Sequence, residues 1–77
     1  LIVDDDEDNL FSTRVFLESC GYETDVATSG ALALQMIEEK EYSIFILDFQ
    51  MPSMNGAQLA SRIWEKLPKS EILMYSC

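Results

Sequence analysis

Short apolar runs alternate with longer amphipathic stretches along the whole chain. Leu1-Ile2-Val3 is an apolar, β-branched run that stops abruptly at Asp4-Asp5-Asp6-Glu7-Asp8. From Asp8 to Cys20 the period changes, and Leu10, Thr13, Phe16, Leu17 and Cys20 fall on one face at helical spacing. Asp6 or Asp8 is placed to cap this helix, where acidic side chains favour the positive end of its dipole. Gly21 suits a left-handed termination. Cys20 lies on the inner side of the stripe and is expected to be a buried free thiol. Tyr22 to Ala27 reads as a second strand, with Tyr22, Val26 and Ala27 as its apolar members. It is the least hydrophobic of the strands, which suits an edge position.

Thr28-Ser29-Gly30 is a turn and cap, and a second helix is expected to run to about Lys40. Ala33, Leu34 and Ile37 make its inner face, with Leu32 and Met36 beside them, and Glu38-Glu39-Lys40-Glu41 reads as a solvated helix end. The third strand is Ser43 to Asp48. Its unbroken Ile44-Phe45-Ile46-Leu47 run suits a strand covered on both faces. The following loop pairs a rigid Pro52 with a flexible Gly56, and Met51 and Met54 are placed to pin it to the body. A third helix starts near Gly56 or Ala57 and runs to about Leu67, where Pro68 stops it. Leu59, Ala60, Ile63 and Leu67 form its stripe, and Trp64 lies beside it, partly exposed. The fourth strand is Glu71 to Ser76 or Cys77. The alternation βαβαβαβ with short connections indicates an α/β protein with parallel strands joined by right-handed crossovers.

Seventy-seven residues allow one domain at most, here residues 1-77. A composition of 48% hydrophobic and 25% charged residues is that of an ordinary globular protein. No apolar run approaches the roughly 18–20 residues of a membrane-spanning helix, and no basic n-region of a signal peptide is present at the start. The net charge of −9 disfavours nucleic acid as a direct partner, because phosphate contacts require Lys and Arg. Cys20 and Cys77 form neither a metal motif nor a disulfide framework. The absence of histidine excludes His-based catalysis and His-ligated metal within these residues.

The candidate chemistry lies where two apolar runs end on carboxylates. In an open α/β sheet, ligands bind at the carboxyl ends of the strands. If the first and third strands are neighbours, Asp4, Asp5 and Asp48 crowd into one pocket. Like charges at such range raise one another's pKa and oppose folding. A hard cation relieves the repulsion, and Mg²⁺ suits two or three carboxylates with waters retained.

Three segments together resemble the receiver domain of two-component response regulators. They are Leu1-Ile2-Val3-Asp4-Asp5, then Ile46-Leu47-Asp48-Phe49-Gln50-Met51-Pro52-Ser53-Met54-Asn55-Gly56, then Ile72-Leu73-Met74-Tyr75-Ser76. The Gln50–Gly56 segment is similar to receivers attached to hybrid histidine kinases. The resemblance implies a flavodoxin-like (CheY-like) fold with strand order 2-1-3-4-5, of which this chain reaches the fourth strand. It implies that Asp48 is the phosphoacceptor for a phosphoryl group from a histidine kinase or phosphotransfer partner. Asp4, Asp5, Asp48 and the backbone carbonyl of Gln50 then match the Mg²⁺ contacts, and Ser76 matches the hydroxyl that bonds the phosphoryl oxygen and moves on activation. Such a domain is a cytoplasmic signalling phosphoacceptor rather than a turnover enzyme. The family's strand-five lysine and switching aromatic have no counterpart among these residues. Phosphoryl uptake is therefore expected to survive better than the coupled switch, and pairing or swapping at strand four is expected.

Three other readings compete. A receiver-like docking module would bind its partner without phosphorylation. In a haloacid-dehalogenase-type phosphatase, Asp4 would be nucleophile and Asp6 acid/base, but that motif wants Thr or Val where Asp8 stands. Asp4, Asp6 and Asp8 also have the spacing of a calcium loop, but Asn9 and Val15 stand where that loop needs Gly and Glu.

Overall fold

The structure is a computed structural model and describes residues 1–75. The elements are β1 (Ile2–Val3), α1 (Glu7–Ser19), β2 (Val26–Ala27), α2 (Gly30–Glu39), β3 (Ile44–Asp48), α3 (Gly56–Lys66) and β4 (Glu71–Tyr75). The strands form one parallel sheet in the order β2-β1-β3-β4, with β1 and β3 adjacent. This is the flavodoxin-like order that the resemblance implied.

Register explains how each strand distributes its side chains. Ile2 pairs with Ile46 and Val3 with Leu47. Successive side chains alternate between faces, so Val3, Phe45 and Leu47 share one face while Ile2, Ile44 and Ile46 share the other. Val3, Phe45 and Leu47 are fully buried in a cluster with Ala33 and Ile37 of α2 and Leu59, Ala60 and Ile63 of α3. These are the inner stripes expected of both helices. Leu34, Met36, Leu67 and Ile72 pack around the cluster. Trp64 is 44% exposed, and its indole N–H donates to the Ser70 carbonyl, tying the end of α3 to the start of β4.

Each helix begins on a side-chain cap. Asp6 accepts from the backbone N–H groups of Asp8 and Asn9 and caps α1. Ser29 accepts from the N–H of Leu32 and caps α2. Asn55 and Gln58 cap α3 reciprocally, each side chain accepting from the other's backbone N–H. Gly21 follows α1 at φ +95°, the left-handed conformation expected of it.

Two expectations are corrected. The second strand is confined to Val26–Ala27, because the residues before it follow the end of α1 instead: the Tyr22 N–H donates to the Leu17 carbonyl. Asp25 then joins the ladder only through its carbonyl, which accepts from Ile2. Cys20 is exposed at the C-cap of α1 rather than buried. On that side of the sheet α1 lies over β1, and among its residues only Leu10 is buried while Phe16 is 66% exposed. A single helix cannot enclose the whole stripe that its periodicity aligns. Leu17 borders an open groove with Ile2, Ile44, Ile46 and Leu73, so the C-terminal end of the stripe, including Cys20, projects beyond the cover the sheet provides.

Candidate functional site

Asp4 follows β1 directly and Asp48 is the last residue of β3. The register of Val3 with Leu47 brings the two carboxylates side by side at the carboxyl edge. Asp4 is 0% exposed and Asp48 6% exposed, while Asp5 is open to solvent. One carboxylate oxygen from each of Asp4, Asp5 and Asp48 lies within 4.8 Å of the other two. The structure therefore brings together the three acids singled out in the sequence. Asp6 is not among them, since its carboxylate is occupied at the α1 cap.

The loop after β3 is held at both ends. The Phe49 N–H donates to the Tyr75 carbonyl at 2.7 Å, and the Gly56 N–H donates to the Phe49 carbonyl at 2.9 Å. A Cβ at Gly56 would stand 2.9 Å from both the Asp48 carbonyl oxygen and the Phe49 Cα. Only glycine lets α3 start this close to the end of β3. Met51 and Met54 pack against the main core cluster, fixing the intervening segment around Pro52. Gln50 contributes its backbone N–H, which donates to Asp48 Oδ1 at 3.0 Å. Ser76 lies outside the described residues.

The two buried acids respond oppositely to their surroundings. Burial raises the Asp48 pKa above its ordinary 3.8; the Gln50 N–H counters this, and the neighbouring Asp4 charge adds to the rise. Burial also opposes ionisation of Asp4, but hydrogen bonds from the Tyr75 hydroxyl, the Asp6 N–H, Asp48 and Asn9 outweigh it and hold the carboxyl below 3.8. The Asp6 N–H donates to Asp4 Oδ1 at 2.9 Å, and the Tyr75 hydroxyl donates to Asp4 Oδ2. Asn9 and Tyr75 are site residues that sequence reasoning missed. Asn9 sits in the first turn of an ordinary helix. Tyr75 is recognisable only from the pairing of Asp48 with Tyr75 across β3 and β4.

The donor set fits a hard divalent cation. It consists of carboxylate oxygens, those of Asp4 and Asp48 on buried residues, with Asp48 resisting ionisation first through burial and then through the charge of Asp4. The ion pairs among the described residues, Arg14–Glu18, Lys40–Asp25 and Lys66–Glu38, all lie elsewhere. No helix among the described residues is long and apolar enough to cross a membrane.

The family model for the response regulator receiver domain matches residues 1–77. The aerobic respiration control sensor protein ArcB of Escherichia coli is 35% identical over 72 residues, covering 94% of this chain and 9% of ArcB. The regulatory protein VanRB of Enterococcus faecalis is 39% identical over 59 residues, covering 77% of this chain and 27% of VanRB. The crystal structure of the response regulator TrrA from Thermotoga maritima, in complex with Mg²⁺-BeF, superposes with a TM-score of 0.92 at 31% identity. That match covers 97% of this chain and 65% of TrrA. The chain thus spans a small part of the length of its curated relatives. Sheet order, paired strand-end carboxylates and a family match over the full sequence agree: the chain belongs to the response regulator receiver domain family.

Proposed function

We propose that this receiver domain accepts a phosphoryl group on Asp48 from a phosphohistidine of a histidine kinase or phosphotransfer partner. The observation that carries the reading is the convergence of Asp4, Asp5 and Asp48 within 4.8 Å at the end of two adjacent strands. In the step, an Asp48 carboxylate oxygen supplies the electron pair for a new P–O bond. The P–N bond to the donor imidazole breaks, and its electron pair stays on the leaving nitrogen. The ionised form of Asp48 is the nucleophile, so whatever offsets the Asp4 and Asp5 charges favours the reaction. The Gln50 N–H holds Asp48 Oδ1 in place, and Gly56 lets the loop close tightly beside it.

Mg²⁺ would be held by Asp4, Asp5, Asp48 and the backbone carbonyl of Gln50, and would supply positive charge to the transferring phosphoryl oxygens. Ser76 is assigned the hydrogen bond to a phosphoryl oxygen on the strength of the family pattern. The chemistry ends on the chain itself, so the domain is a signalling phosphoacceptor and not a turnover enzyme, and a cytoplasmic setting follows from a kinase partner. TrrA as an Mg²⁺-BeF complex supports the metal, and ArcB, a sensor protein, supports the partner class.

A histidine-phosphorylated phosphotransfer domain, labelled on phosphorus and mixed with this chain and Mg²⁺, tests the proposal. Label is expected to move to the wild-type chain and to stay on the donor with Asp48→Asn. A donor that binds the chain and keeps its label would instead favour a docking module that works without phosphorylation.

A further inference from the structure

Tyr75 closes one end of the acidic site. Its partner in the β3–β4 register is Asp48, and Asp4 stands beside Asp48 just past the end of β1, on the other side of β3. Residues in register on parallel strands project to the same side, so Asp4, Asp48 and Tyr75 form one row across the carboxyl edge. Strands lie about 4.8 Å apart, so the tyrosine must span the end of β3 to reach Asp4. It does so, and its hydroxyl donates to Asp4 Oδ2. The other oxygen, Oδ1, accepts from the Asp6 N–H. Both oxygens of the most buried acid are therefore engaged by protein donors. The backbone donor belongs to the turn that starts α1, whereas the hydroxyl comes from a side chain on a separate element, β4.

We propose that Tyr75 is a latch on the cation site: its hydroxyl holds Asp4 Oδ2 in the metal-free domain and releases it when a divalent cation binds. The inference rests on the reading of Asp4, Asp5 and Asp48 as the Mg²⁺ ligands and adds a positioning residue to it. A hydroxyl bound to a carboxylate competes with a cation for the same oxygen. Groups around a metal's ligands in this way set its affinity. The latch keeps the Asp4 carboxylate oriented without metal, at the cost of weaker metal binding. It also couples cation binding to the C-terminal end of β4, where the Tyr75 carbonyl accepts from the Phe49 N–H of the phosphoacceptor loop.

The test is calorimetric titration of MgCl₂ into wild-type chain and Tyr75→Phe, which keeps the ring and removes the hydroxyl. Tyr75→Phe is expected to bind Mg²⁺ about fivefold more tightly, the scale of one net hydrogen bond. Equal or weaker binding by a variant with an unchanged circular dichroism spectrum overturns the latch. A second measurement leaves Tyr75 intact. The tyrosines are Tyr22, Tyr42 and Tyr75 and the tryptophan is Trp64, so Tyr22→Phe, Tyr42→Phe and Trp64→Phe together leave Tyr75 to report. Saturating Mg²⁺ is expected to shift its near-ultraviolet absorption as the hydroxyl leaves Asp4, and binding without a shift overturns the proposal. Absence of Mg²⁺ binding in the wild-type chain would overturn the cation-site reading as well, which distinguishes that failure from failure of the latch.

Discussion

Asp4 and Asp48 are neighbours, both withdrawn from water, and they carry opposite consequences for stability. The Asp48 carboxyl is held above 3.8, first by burial and then by the charge of Asp4. Its contribution to stability is full below its unfolded value and is lost as pH rises through its value in the fold. The Asp4 carboxyl is held below 3.8, because its hydrogen-bond donors outweigh burial. Its contribution is present above 3.8 and is lost as pH falls through its folded value. Asp48→Asn removes the first effect and leaves the Tyr75, Asp6 and Asn9 hydrogen bonds that contribute to the second. In urea unfolding at neutral pH and without metal, the variant is expected to be more stable than wild type, with a higher midpoint. That advantage should shrink as pH falls toward 3.8. Curves that run parallel across this range would show that Asp48 carries no such penalty. The pair was legible in the sequence, since two apolar runs that stop on carboxylates can be read without coordinates. Tyr75 was not, because its place in the row depends on the register between β3 and β4, and no local pattern specifies that register.

At the level of elements, hydrophobic period and cap chemistry located every helix and strand, and the discrepancies have one physical origin. Periodicity says which side chains share a face but not how much the opposing surface covers. The stripes of α2 and α3 meet a sheet face on which Val3, Phe45 and Leu47 are fully buried, and both were read correctly. The stripe of α1 meets a face that it covers alone, so Phe16 and Cys20 are exposed despite falling in line with Leu10. The second strand shortens for a similar reason: the turn after Gly21 draws the Tyr22 N–H to Leu17 instead of to a neighbouring strand. The reciprocal cap of Asn55 and Gln58 is the local device that starts α3 immediately after the loop that follows β3. Asn55→Ala is expected to cost about 1 kcal/mol in chemical denaturation. A change near zero would mean that the tight packing of Gly56 against β3, and not the cap, determines where α3 begins.

Across the whole molecule, one sheet face is sealed by two helices and the other is only partly covered. The outer edge of β4 has no neighbouring strand among the described residues, and Leu73 there is 62% exposed. Unpaired edges with exposed apolar side chains invite strand pairing between copies. The chain is expected to self-associate with rising concentration in analytical ultracentrifugation, and Leu73→Lys is expected to reduce that association. Association that is indifferent to Leu73→Lys would place the contact elsewhere. The same sheet gives the functional account its central claim, that β1 and β3 deliver their terminal carboxylates to one phosphoacceptor site. The most direct measurement is the intact mass of the folded chain after incubation with acetyl phosphate and Mg²⁺. A gain of one phosphoryl group is expected in the wild-type chain and none with EDTA or with Asp48→Asn. A folded wild-type chain that gains nothing, or an Asp48→Asn chain that still gains the group, would contradict that claim.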